Sequence, residues 1–143
     1  MTRIFVDPIE KIIDWVGRRV TRGIICHIEE SKRVGGAGDP AVMVSVIVEN
    51  PQGENAFVRC FEVEMLKPFR SPAISYEYRS DPRTPIYNLA LNIPGHGVSD
   101  PTIIIAKFQD ALPYTSACRA RIAAVGRKGF RKRWSEFCCP ALQ

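Results

Sequence analysis

"SDPTIIIAKFQDALPYTSACRARIAAVG", residues 99–126, decides whether the C-terminal region is read as helix or as strand. Asp100-Pro101 reads as a cap followed by the first helical position. The three consecutive isoleucines, Ile103 to Ile105, instead favour a strand, because β-branched side chains lose rotamer freedom in a helix. The cap and the proline together favour helix over 101–112. After Pro113, Tyr114, Cys118, Ile122 and Val125 form a stripe at helical spacing that stops at Gly126. Beyond Gly129, Phe130, Trp134 and Phe137 recur at i, i+4 and i+7 and predict a second helical face. The C-terminal region is therefore expected to be helical.

Toward the N-terminus, "DPIEKIIDWVGRRV" (7–20) carries a capping residue, Pro8 at the first helical position and Glu10 in a capping-box-like place. Ile9, Ile12, Ile13, Val16 and Val20 share one face, so a helix is predicted over about 8–21. From Gly23 to Ile93 the period changes to two. Segments such as "AVMVSVIVE" (41–49) and "AFVRCFEVEML" (56–66) are rich in β-branched and aromatic residues and are bounded by breakers. "NPQG" (50–53) suits a type I turn, predicting a hairpin between the second and third strands. Alternation in the third strand places Phe57, Phe61, Val63 and Met65 on its core face. The expected fold is α+β, with an N-terminal helix, an antiparallel sheet of about five strands and a helical C-terminal region.

The 143 residues, 45% apolar and 24% charged, match one globular domain spanning 1–143 rather than a disordered chain. No apolar run approaches the roughly 20 residues of a transmembrane helix. The start lacks a secretory h-region, so an intracellular location is expected, cytoplasmic or nuclear or peripheral to a membrane, and not secreted. Five cysteines, an odd number without regular spacing, read as free thiols.

Charge is distributed unevenly. Residues 111–143 hold seven basic side chains against Glu136 alone, more than the whole excess of +5. Such asymmetry points to a polyanionic partner, nucleic acid (RNA first) or an anionic membrane. Within that segment, Gly126-Arg127-Lys128-Gly129 resembles the GxxG loop with which KH domains clamp a single-stranded nucleic acid. The resemblance covers about ten residues. It implies phosphate contacts at Gly126, Arg127, Lys128 and Gly129, because glycines let the backbone approach and cations neutralise charge. It does not imply the KH fold, since only nine residues follow Trp134. Arg119, Arg131, Lys132 and Arg133 extend the expected anion-binding surface.

The same segment can be read as a helix lying in a membrane interface, with Phe130, Trp134 and Phe137 opposite the cations. Cys138 and Cys139 would then be candidate lipidation sites. Catalytic signals are sparse. Cys26 and His27 are adjacent in a strand and face opposite ways, His96 sits in a glycine-flanked loop, and Glu62 with Glu64 reads as a solvated strand face. No ligand spacing calls for a metal, and no motif calls for a cofactor. The composition as a whole suggests a non-enzymatic, oligomeric binding protein, with small viral matrix or capsid proteins as an analogy of properties. A small enzyme using His96 and a protein-docking scaffold are the alternatives.

Overall fold

The computed structural model describes residues 23–35, 40–110, 117–126 and 132–141. Ten strands run in chain order: β1 (Ile25–Val34), β2 (Ala41–Glu49), β3 (Ala56–Lys67), β4 (Ser71–Pro72), β5 (Ser75–Asp81), β6 (Thr84–Ile86), β7 (Leu91–Ile93), β8 (Thr102–Lys107), β9 (Cys118–Gly126) and β10 (Ser135–Cys139). They form two antiparallel sheets. The first has the order β1-β2-β8-β5-β6; the second has β10-β9-β3-β4, with β7 also pairing β3. Among the described residues there is no helix, so the α+β expectation is overturned. The N-terminal helix predicted for 8–21 lies outside the described residues.

The C-terminal correction has a simple cause. Residues four apart share a face in a helix and also in a strand, so Cys118 and Ile122 could not discriminate. In the structure Cys118, Ala120, Ile122 and Ala124 all point inward and are buried, while Arg119 and Arg121 point out. Val125, three residues from Ile122, changes face as a strand requires. Trp134 and Phe137 separate for the same reason: Phe137 enters the core, and Trp134 lies on the outer face of the sheet. Trp134 and Phe137 therefore do not share a face. In 101–112, the isoleucines prevail over the cap. Thr102, Ile104 and Ala106 are buried between β2 and β5, where a strand satisfies backbone groups on both edges.

"NPQG" does not make a hairpin. It carries the chain from the first sheet to the second, since β2 pairs with β1 and β8 while β3 pairs with β9. Asn50, fully buried, braces this crossing. Its amide donates to the carbonyls of Glu54 (2.6 Å), Ile93 (3.1 Å) and Pro94 (3.2 Å), and its Oδ1 accepts from the Gln52 N–H (3.0 Å). Two turns are thereby held together by one side chain, and hydrogen bonding to these otherwise unpaired groups compensates its burial.

The core lies between the sheets. Val42, Val44, Val46 and Val48 of β2 and Ile104 of β8 meet Val58, Phe61, Val63 and Met65 of β3 and Ile122 of β9. Phe61, Val63 and Met65 face inward as alternation predicts, but Phe57 is 43% exposed. A register shift between Val58 and Cys60 inserts one extra residue, which moves the inward set from even positions (Ala56, Val58) to odd ones (Phe61, Val63, Met65).

Side-chain hydroxyls join the sheets along both open sides. Between β1 and β10, Ser31 Oγ donates to the Cys138 carbonyl (2.8 Å) and Ser135 Oγ to the Cys26 carbonyl (2.8 Å). On the opposite side, no strand among the described residues pairs with β3 between β7 and β4. There the N–H groups of Phe61 and Val63 donate to the hydroxyls of Tyr78 (3.1 Å) and Tyr76 (2.9 Å) of β5. Both tyrosines belong to the first sheet, and their rings stack at 6.2 Å.

Candidate functional site

Above the gap in the second sheet lies an open cleft of about 570 Å³, lined by Cys60, Glu62, Glu64, Pro72, Tyr76, Lys132 and Trp134, among others. Strand alternation puts Glu62 and Glu64 on the outer face of β3, and the antiparallel register places Arg121 of β9 directly across from Glu64. The two form an ion pair of 3.0 Å, and Arg70 reaches the same carboxylate at 3.2 Å. Lys132 Nζ sits 2.6 Å from Glu62 Oε2. The Arg121 guanidinium lies 4.1 Å from the centroid of the Trp134 ring, and Lys132 Nζ lies 5.9 Å from it. A guanidinium stacked on indole is held by charge–quadrupole attraction as well as by its carboxylate. These pairs are partly exposed, so each contributes only about 0–1 kcal/mol to the fold. They set the shape of the cleft more than its stability.

Burial pushes up the Cys60 thiol, assisted by the Glu62 carboxylate. Burial likewise pushes up the hydroxyls of Tyr76 and Tyr78, and their bonds from the β3 N–H groups partly oppose it. The thiol and the two phenols therefore stay protonated at neutral pH.

The residues expected from sequence to bind anions are placed as follows. Arg119 and Lys132 reach the surface of the second sheet, paired with Glu136 (3.3 Å) and Glu62. Gly126 is buried at the end of β9, opposite Val58. Arg133 is partly buried, and its Nη1 has no hydrogen-bond partner among the described residues. Arg127, Lys128, Gly129, Phe130 and Arg131 lie outside the described residues. Of the candidate membrane residues, Trp134 walls the cleft, Phe137 is in the core, Cys138 is exposed and Cys139 is buried beside Cys118.

Sequence reasoning passed over Arg121, Tyr76, Arg59, Lys67 and Arg70. A usable signal did exist: Arg119-Ala120-Arg121 and Glu62-Val63-Glu64 carry opposite charges at a period of two, the pattern of neighbouring antiparallel strands. His96 takes a left-handed φ of 58° in a turn, and its N–H donates to the Gln52 carbonyl (2.7 Å). Cys26 is buried and His27 exposed, so the two face opposite ways; His27 pairs with Glu49 at 2.7 Å. Among the described residues, no group of three His, Cys, Asp or Glu side chains is placed to hold a metal. Nor is any helix there long and apolar enough to cross a membrane.

Sheet orders of β1-β2-β8-β5 and β10-β9-β3 are the strand arrangement of immunoglobulin-type sandwiches, here with short added strands at the edges. No protein-family model and no curated protein matches the sequence. Among solved structures, the chain is similar to a FixG-related protein from Vibrio parahaemolyticus, at 10% identity and a TM-score of 0.51, over 83% of this chain and 94% of that one. It also matches a family 123 glycoside hydrolase from Clostridium perfringens at 10% identity and a TM-score of 0.42, over 71% of this chain and 21% of that one. At this identity the first likeness extends to the fold and no further.

Proposed function

We propose that the protein is a non-enzymatic binding module that holds a single-stranded nucleic acid, RNA first, against the outer face of its second sheet. One observation carries this reading: the two outer faces differ in charge. Among the described residues on and beside the second sheet, Arg59, Lys67, Arg70, Arg119, Arg121 and Lys132 stand against Glu62, Glu64 and Glu136. On and beside the first sheet, Lys32, Arg79, Arg83 and Lys107 instead stand against Glu29, Glu30, Glu49, Glu77 and Asp81. In sequence, Arg127, Lys128 and Arg131 fall between β9 and β10 and add three further cations to this part of the chain. Cations that exceed the local carboxylates attract a phosphate backbone and release its counterions. Trp134 offers partial aromatic area beside them, as single-strand binders commonly do. Self-association belongs to the same proposal, because repeated cationic faces would add avidity along a polymer. An intracellular location belongs to it as well, since RNA is met there.

The experiment is a salt titration of binding to single-stranded RNA. An Arg59→Gln/Lys67→Gln/Arg119→Gln variant is compared with a Lys32→Gln/Arg83→Gln variant as control. Three lost phosphate contacts should flatten the slope of log K against log salt by about 2 units, at about 0.7 per contact. The control should leave the slope unchanged. Equal slopes in all three proteins would refute this face as the binding surface. Binding to anionic liposomes without RNA binding would replace nucleic acid by lipid as the partner.

A further inference from the structure

Cys118 and Cys139 are opposed across the β9–β10 ladder, where Cys118 opens β9 and Cys139 closes β10. Directly opposed residues in an antiparallel pair project to the same face, and these two project inward and are 3% and 1% exposed. Such a pair holds its Cα atoms about 4.5–5.5 Å apart, within the roughly 4.4–6.8 Å that disulfides span. Each thiol is the neighbour that most strongly perturbs the other. The other three cysteines are placed differently: Cys26 is buried at the far end of the sandwich, near Ser135, while Cys60 lies in the cleft and Cys138 points outward.

We propose that Cys118 and Cys139 are a reversible dithiol–disulfide site, oxidised by a small-molecule disulfide of the glutathione class. The Cys118 thiolate attacks one sulfur of the oxidant, forming a mixed disulfide and expelling one small thiolate. Cys139 then loses its proton and attacks the Cys118 sulfur, expelling the second. Two electrons pass from the protein to the oxidant, two protons leave the cysteines, and two small thiols are formed. The roles follow from the surroundings. The adjoining Cys139 thiol, with the nearby Arg33 guanidinium, holds Cys118 below the ordinary thiol value. The Cys118 neighbour, with burial, pushes Cys139 up. The thiolate is the attacking species, so the asymmetry selects Cys118. Access follows from position: the pair is the last rung of its ladder, where opening one terminal pair exposes both sulfurs without unfolding the sandwich. Cys26, pushed up to about 12 by burial, has no such exit or partner. This inference does not depend on the nucleic-acid reading. It does link the two ends of the segment that carries Arg127 to Arg133.

The test equilibrates the full chain with oxidised glutathione, then quenches it and alkylates under denaturing conditions. Five alkylatable thiols should fall to three, the mass should drop by two hydrogens, and the cross-linked peptide should join Cys118 to Cys139. A Cys138→Ser variant should behave like the parent, whereas Cys118→Ser should keep all its thiols alkylatable or retain glutathione on Cys139. Should Cys118→Ser fail to fold, the peptide map of the parent and of Cys138→Ser decides alone. Five thiols still alkylatable, a bridge that uses Cys138, or glutathione carried only on Cys138 would each overturn the proposal.

Discussion

Tyr76 and Tyr78 carry the most testable consequence of this architecture, because their hydroxyls accept from β3 N–H groups that no described strand pairs. Tyr76→Phe and Tyr78→Phe each delete one oxygen and leave the ring in place. The N–H groups of Val63 and Phe61 then lose their acceptors at 2.9 and 3.1 Å, in a part-buried place that no strand among the described residues covers. An unsatisfied buried donor costs about 1–3 kcal/mol, and partial exposure puts each substitution near 1–2 kcal/mol. The two hydroxyls serve neighbouring donors, so the double variant should lose about 2–4 kcal/mol, departing from additivity by their coupling. Urea unfolding at constant m-value reads this directly, and the exchange protection of the two amides should fall. Tyr87→Phe, at a side chain 88% exposed, should stay within about 0.5 kcal/mol. The pH dependence has a definite sign. Burial raises both phenols in the folded state, so their contribution is full below the ordinary tyrosine value of about 10 and is lost as pH rises above it. Tyr76→Phe/Tyr78→Phe should flatten that alkaline loss. If each single variant costs less than about 0.3 kcal/mol, and alkaline stability does not change, the hydroxyls are not bracing the edge.

The bulge in β3 is tested by a pair of alanine substitutions. Phe61→Ala, at a site 1% exposed, should cost about 3–5 kcal/mol, while Phe57→Ala, on the other side of the register shift, should cost well under half of that; equal costs would mean unbroken alternation. Gly95→Ala should be strongly destabilising, because a Cβ there would lie 2.2 Å from the Gly53 carbonyl oxygen. A melting temperature equal to that of the parent would show that the two turns are not in contact.

Much of the strand content was legible in the sequence, and its assembly was not. Alternation over residues 41–49 and 56–66 locates β2 and β3 because a half-buried sheet rewards period two regardless of its partners. The hairpin inferred from "NPQG" failed because a turn sequence specifies local backbone geometry and says nothing about whether the following strand stays in the same sheet. Asn50 decides that, through acceptors more than forty residues away at Ile93 and Pro94. For the candidate site, the cationic residues could be counted, but their ion pairs depend on register between strands distant in sequence. Glu62 and Lys132 are 70 residues apart.

Local propensity and charge thus determined where strands could form in the middle of the chain and where the basic residues lie. Whether residues 118–126 and 135–139 became helix or strand was settled only by tertiary packing. An alanine-rich, cysteine-spaced segment satisfies a helical stripe and a strand face equally well. The second sheet supplied what the local sequence could not: β3 and β9 pair along most of their length, so each fills the other's backbone hydrogen bonds while Ile122 and Phe137 close the core. A helix would have satisfied its own backbone and left the edge of β3 unpaired, and that unpaired edge is the larger cost.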